Sequence, residues 1–166
     1  MLTFVLRVTT GKEEAVKESL EAFPLMRSYH FWVPKKPIHM NKQGVQLLRH
    51  EVLFPGYVLA DGEDFDDLYT RLLSFVSADF YTLLGKGEDD GKIVTEEEKE
   101  LIGKLTAEVS CGILEGGRVR FTSGEMMGLE GFVQKFDKRK NNVMLRMEML
   151  GKTVDIWTAV NMVETV

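Results

Sequence analysis

Every helical spacing in this chain lies before residue 106. Beyond it apolar side chains alternate with polar ones as in strands, so the 166 residues divide into a mixed part and an all-β part. Three helices are predicted in the first part. Val16, Leu20 and Phe23 recur at spacings of four and three, while Lys12, Glu13, Lys17, Glu18 and Glu21 fill the other face. Thr10 is placed to cap that helix, with Glu13 reaching back to its amide, and Pro24 stops it. Phe65, Leu68, Leu72 and Phe75 repeat behind Asp64 as cap, with Asp66 and Asp67 in the first turn, where the helix dipole favours anions. Thr95-Glu96-Glu97-Glu98 is a capping-box pattern that opens a third helix through about Leu105.

Between the helices the chain reads as extended at Leu2 to Val8, Ser28 to Pro34, Val45 to Leu53, Tyr57 to Ala60 and Phe80 to Leu84. Asn41-Lys42-Gln43-Gly44 has the turn chemistry of a hairpin joining Ser28–Pro34 to Val45–Leu53, and Gly85 to Gly91 is a polar loop. Strand, helix, strand, strand, helix, strand, helix is the split β-α-β plan of a ferredoxin-like α+β fold with a helix added. Residues 107–115 are short and weakly patterned and read as a linker. After them Arg118-Val119-Arg120-Phe121 alternates, Gly128 and Gly131 flank a turn, and Phe132-Val133 begins a strand. Asn141-Asn142 is a tight turn, Val143 to Leu150 alternates again, and Gly151-Lys152 turns into Thr153-Val154-Asp155-Ile156-Trp157. Five short strands at that interval predict a small SH3-like β-barrel. The expected division is therefore 1–106, a linker at 107–115, and 116–166.

The formal net charge of −5 argues against a uniformly basic polymer binder, but the charge is segregated. Residues 1–60 carry 8 basic and 5 acidic side chains, residues 61–100 carry 4 and 13, and residues 101–166 carry 9 and 8. The single cysteine, Cys111, can form neither an internal disulfide nor a thiolate cluster, which points to a reducing compartment. Met1 to Arg7 lacks the basic leader and apolar run of a secretory signal, and no run of about 18 apolar residues occurs anywhere. A soluble cytoplasmic protein with no membrane partner is expected.

Nothing points to catalysis, a metal or a cofactor. His30, His39 and His50 lie nine and eleven residues apart on the predicted hairpin, wider than the local spacing of most metal ligands. No nucleophile elbow, phosphate loop or dinucleotide fingerprint is present. Asp66-Asp67 and Glu96-Glu97-Glu98 stand where first helical turns want negative charge, so they read as caps.

The binding candidates are three. On the hairpin, Lys35, Lys36, Lys42 and Arg49, with Arg27, the histidines, Phe31 and Trp32 nearby, can track phosphates; the same cations can equally keep an exposed β-edge soluble. In Leu53-Phe54-Pro55-Gly56-Tyr57-Val58-Leu59 the Pro-Gly pair bends an extended run, presenting Phe54 and Tyr57 either to a protein partner or to the core. In the last part, the loop Gly124-Glu125-Met126-Met127-Gly128-Leu129-Glu130-Gly131 leaves Met126 and Met127 to project as adaptable contacts. Lys135, Lys138, Arg139 and Lys140, opposed only by Asp137, form a cationic turn that is either solvated or suited to phosphates.

Phe54-Pro55-Gly56-Tyr57-Val58-Leu59 resembles the signature of the N-terminal domain of the NusG family. Gly128-Leu129-Glu130-Gly131-Phe132-Val133 resembles its KOW motif, and Val154-Asp155-Ile156-Trp157 resembles the strand that closes the KOW barrel. The resemblance spans essentially the whole chain. It implies a transcription elongation factor and not an enzyme: an N-terminal (NGN) domain gripping the clamp helices of RNA polymerase through Phe4, Phe54, Pro55, Gly56 and Tyr57, and a KOW domain recruiting a second partner. Bridging the polymerase cleft, with a contact to upstream or non-template DNA, would disfavour paused states. The chain departs from the housekeeping pattern in Thr3-Phe4 and in Gly124-Glu125-Met126, where a Gly-Pro-Phe loop is usual, and this departure puts in doubt the general partners at that loop, termination factor Rho and a small-subunit ribosomal protein. The compact linker and Lys138-Arg139-Lys140 are instead similar to specialised paralogues of the LoaP type, processive antiterminators that act on particular operons and recognise an RNA hairpin; the chain itself is expected to be a monomer. Two alternatives stand beside this reading: a general elongation and termination factor whose KOW domain binds proteins, and a ribosome-associated KOW protein that binds RNA.

Overall fold

The computed structural model describes residues 1–85 and 93–163, so most of the loop expected from Gly85 to Gly91 lies outside the described residues. The chain forms two compact units that do not follow chain order: residues 1–34 and 54–99 make one, residues 35–53 and 100–166 the other.

In the first unit, β1 (Leu2–Val8), α1 (Glu13–Ala22), β2 (His30–Trp32), β5 (Tyr57–Gly62), α2 (Phe65–Leu72) and β6 (Phe80–Leu83) build a four-stranded sheet in the order β2-β5-β1-β6. All its ladders are antiparallel, with Phe4 opposite Ala60 and Leu6 opposite both Val58 and Leu83. Consecutive strand residues face opposite ways, so Phe4, Leu6 and Val8 share one face, all of them buried. The rings of Phe4 and of Phe65 on α2 meet edge to face with 5.7 Å between centroids. α1 packs on β2 and β5 and buries Val16 and Leu20, each apolar side chain withdrawn from water contributing about 1.5–3 kcal/mol. α2 is held at both ends. Asp64 caps it by accepting from the Asp67 amide at 3.1 Å, and the Tyr29 hydroxyl donates to the Asp67 carboxylate at 2.6 Å while Arg71 reaches the same oxygen at 2.8 Å. Tyr29 lies so close over Gly62 that a Cβ there would sit 2.3 Å from its ring.

The second unit contains β3 (Lys35–Lys42), β4 (Val45–Val52), β7 (Ser110–Glu115), β8 (Arg118–Ser123), β9 (Val133–Asp137), β10 (Asn142–Met149) and β11 (Lys152–Met162). The last five form a sheet in the order β8-β7-β11-β10-β9, antiparallel except where β11 runs parallel to β7. Its two edges, β8 and β9, line one groove, so the sheet curls on itself. Phe121, Leu145, Met149, Ile156 and Val160 fill its interior. β3 and β4 pair as a hairpin, and β3 packs on β11. α3 (Glu96–Leu105) opens in the first unit and ends in the second, and the expected capping box forms, Glu98 N–H to Thr95 Oγ1 at 3.1 Å and Thr95 N–H to Glu98 Oε1 at 3.0 Å.

Three expectations need correction. The partner of Val45–Val52 is not Ser28–Pro34 but β3, because the two-residue loop Gln43-Gly44, with φ of 53° and 77°, closes directly on the Lys42–Val45 pair. Residues 30–32 pair with β5 instead, and Pro34 separates the two strands. Residues 107–115 are not a linker throughout. Ser110–Glu115 is a strand paired on both sides, and its weak alternation follows from burial at Ser110, Gly112 and Ile113, where a Cβ on Gly112 would lie 3.1 Å from the Arg120 carbonyl. Thr10 does not cap α1; Lys12 is the N-cap residue, and Glu13 does a different job.

Candidate polymerase and nucleic-acid interfaces

The Phe54-Pro55-Gly56-Tyr57 bend enters β5 as a fixed structure. Gly56 has φ of 89°, and a Cβ there would meet Thr10 Oγ1 at 3.1 Å, so only glycine fits without displacement. The Gly56 carbonyl accepts from Val8 N–H at 2.8 Å, and the Tyr57 amide donates to the Phe54 carbonyl at 3.1 Å. The Gly56 amide donates to the Glu13 carboxylate at 2.9 Å, and the Gly11 amide donates to the same carboxylate at 2.9 and 3.0 Å. Glu13 is 4% exposed and joins the start of α1 to the bend. Pro55 is exposed at the apex and Tyr57 is half-buried, whereas Phe4 and Phe54 are buried. The expectation that Phe4 and Phe54 present their rings on the surface is thus corrected: both faces of β1 are covered from Thr3 to Leu6, with the Phe4 ring against Phe65 of α2, and Phe54 is itself buried.

In the second unit the cations expected on two separate domains are brought together. The hairpin is bonded to the curled sheet at both its middle and its tip. Asn142 makes a reciprocal pair with the main chain of His39, accepting from its N–H and donating to its carbonyl, both at 2.9 Å. His39 Nδ1 lies 2.8 Å from the Asn141 carbonyl, and Thr158 Oγ1 donates to the Pro37 carbonyl at 3.1 Å. Near the tip, Asn41 donates to the Arg139 carbonyl at 3.3 Å and Gln46 to the Lys140 carbonyl at 2.8 Å. Asp137 organises the turn that meets them, accepting from the amides of Arg139 at 3.0 Å and Lys140 at 3.1 Å.

Lys42, Lys138, Arg139 and Lys140 therefore stand exposed around one junction. Arg49 is exposed and paired with Glu51 at 2.5 Å, Lys35 is exposed at the base of β3, and Lys135 is exposed on β9. Lys36 differs. It is 8% exposed and its ammonium donates to the Trp157 carbonyl, so it anchors the hairpin and is not displayed to a ligand. Burial holds its pKa below the ordinary lysine value against the opposing pull of Glu51. Sequence reasoning missed Asn142, His39 and Thr158 as the residues that assemble this surface. Asn141-Asn142 was legible only as a turn, because partners 103 residues away leave no local signal.

The glycine-punctuated loop also differs from expectation. Met126 is buried, its amide donating to Ser110 Oγ at 3.1 Å, so only Met127 projects. Gly124 and Gly128 take φ of 95° and 93°, and a Cβ on Gly124 would lie 2.4 Å from Ser110 Oγ. Gly131 is exposed, and neighbouring Glu130 closes the loop by accepting from the amides of Phe121 at 3.1 Å and Gly128 at 3.0 Å. Among the described residues no three His, Cys, Asp or Glu side chains are grouped to hold a metal ion, and no helix is long and apolar enough to cross a membrane.

No protein-family model matches the chain. It is 26% identical over 153 residues to the transcription termination/antitermination protein NusG of Streptococcus pyogenes serotype M1, covering 87% of this chain and 86% of that protein. It is 23% identical over 172 residues to the protein of the same name from Lactococcus lactis subsp. lactis (strain IL1403), covering 98% and 92%. A solved structure, that of domain interaction in Thermotoga maritima NusG, superimposes with a TM-score of 0.59 at 19% identity over 96% of this chain and 93% of the other. The chain is thus similar along most of its length to NusG transcription termination/antitermination proteins, and it has the fold of the Thermotoga maritima NusG structure.

Proposed function

We propose that this chain is a NusG-family transcription elongation factor of the processive-antitermination type, a binding protein without catalytic activity that works in the cytoplasm as a monomer. The first unit is its polymerase-docking (NGN) domain and the curled sheet of the second its KOW domain. The observation that carries this reading is the bend at Phe54–Tyr57. A buried carboxylate and a positive-φ glycine hold Pro55 and Tyr57 at the end of β5, which suits a docking contact because little conformational freedom is lost on binding. The partner is the clamp helices of RNA polymerase. Binding the elongating conformation more tightly than the paused one shifts the equilibrium toward elongation, whereas equal affinity would shift nothing. The cations of the second unit contact RNA, a hairpin in the transcript, with upstream or non-template DNA as a further phosphate ligand of the β3–β4 hairpin.

Binding of the full chain to isolated clamp helices tests the docking step. Tyr57→Ala is expected to abolish or strongly weaken it with the circular dichroism spectrum unchanged. Absence of binding by the wild-type chain removes the elongation-factor reading. For RNA, Lys138→Glu with Arg139→Glu and Lys140→Glu is expected to weaken hairpin binding and flatten its salt dependence.

A further inference from the structure

We infer that the β3–β4 hairpin and the curled sheet form a single composite site for an unpaired RNA nucleotide, with its base on Trp157 and its phosphates on cations from both elements. This rests on the RNA-binding reading above and names what that site takes. A groove of about 490 Å³ is lined by Ile38, Met40 and Arg49 of the hairpin and by Lys140, Asn142 and Trp157 of the sheet, among others. Trp157 stands on β11 between the buried Ile156 and Thr158 and is 36% exposed, so part of the indole is open to a ligand. Arg49 and Lys140 line the same groove, and Lys42, Lys138 and Arg139 continue the positive charge at the junction where Asn41 and Gln46 bond to the turn. Two acids, Glu51 and Asp137, line the same groove and both are engaged: Asp137 on two backbone amides, Glu51 on Arg49.

An aromatic face beside several cations is the chemistry of single-stranded nucleic-acid recognition, in which bases stack and phosphates are tracked. A duplex presents phosphates but no free base face, so an unpaired loop nucleotide is the ligand that uses both features. Neither element holds the site alone. The hairpin supplies Arg49 and Lys42, the sheet supplies Trp157 and Lys140, and the Asn142–His39 pair with the Thr158–Pro37 bond fixes their spacing.

The test uses the full chain with an oligouridine RNA, a stem-loop RNA with an oligouridine loop, and a blunt duplex RNA. The first two are expected to bind and quench tryptophan fluorescence, with the quenching lost in Trp157→Phe, and the duplex is expected not to quench. Trp157→Ala should weaken oligouridine binding roughly tenfold. Lys42→Ala and Arg49→Ala should each reduce the salt slope by about 0.7. Asn142→Ala removes no charge, yet it should weaken binding by loosening the hairpin; if that variant fails to fold, the exposed Lys42 decides. Wild-type affinity in the Trp157, Lys42 and Arg49 variants, alongside loss in the Lys138, Arg139 and Lys140 reversals, overturns the composite site and leaves RNA binding standing. Binding of the duplex alone overturns the composite site and leaves RNA binding standing, and no binding of any of the three probes by the wild type overturns both.

Discussion

Glu13 is a carboxylate with 4% exposure whose described partners are backbone amides. An acidic side chain withdrawn from water is tolerated only when its oxygens accept hydrogen bonds, and here Gly11 and Gly56 supply them. Glu13→Ala leaves the buried Gly56 amide without that acceptor and should cost about 2 kcal/mol, read from the urea midpoint, with Glu13→Gln losing less because one acceptor oxygen remains. Gly56→Ala should cost about 1–2 kcal/mol for the left-handed backbone alone. The two substitutions act on one bend, so their combined loss should fall short of the sum. Lys36 makes the opposite case. Its pKa lies below the usual 10.5, so the folded state carries a protonation cost below the shifted value that disappears as pH rises toward 10.5. Relative to Lys36→Met, the wild type should gain stability over that interval, and a constant difference in midpoint between the two would show that burial of the ammonium carries no cost.

The elements most legible from sequence were those whose signals are local. The α2 cap at Asp64, the capping box of α3 and the apolar stripe of α1 each depend on residues within one or two turns, and each is present in the structure. The elements misread are those whose identity depends on distant partners. Ser110–Glu115 looks featureless because it is sandwiched between β8 and β11, and β3 escaped notice because its alternation is erased by burial from Lys36 to His39. The site divides the same way: the cationic residues and the Pro-Gly bend were readable as residue types, but which of them share a surface was not. α2 allows a test of how an element is anchored. The Tyr29 hydrogen bond and then Arg71 hold the Asp67 carboxyl below its usual 3.8, while burial and then Asp67 push the Tyr29 phenol above its usual 10.0. The Asp67 contribution is therefore complete above 3.8 and lost as pH falls through its lowered value. The Tyr29 contribution is complete below 10.0 and lost as pH rises through its raised one. The stability difference between wild type and Tyr29→Phe should accordingly be a plateau between those limits, falling at both ends, when unfolding is followed across pH.

At the scale of the whole molecule, the division into units changes how charge is read. Grouped as the structure groups them, residues 1–34 and 54–99 carry 8 basic and 16 acidic side chains, and residues 35–53 and 100–166 carry 13 and 10. A chain with a net charge of −5 thus holds its positive charge in one body, because the hairpin brings Lys35, Lys36, Lys42 and Arg49 to the strands that follow α3. Under the proposed RNA contact, attraction of phosphates would depend on that local balance more than on the total, since exposed charges separated by more than a Debye length of about 8 Å at physiological salt are largely screened. That grouping of charge holds only while the hairpin stays attached to the sheet. Backbone amides exchange through local openings whose free energy reflects the contacts that must break, so a docked hairpin and a free one differ in protection. In the wild type, amides of β3 should be protected to a degree comparable with β11. Asn142→Ala combined with Thr158→Val should raise exchange throughout β3 while leaving the β1–β5 ladder unchanged, because the bonds removed lie within the second unit. Uniform rapid exchange of β3 in the wild type would mean that the hairpin is not held, and the positive charge would then be divided between two independently moving pieces.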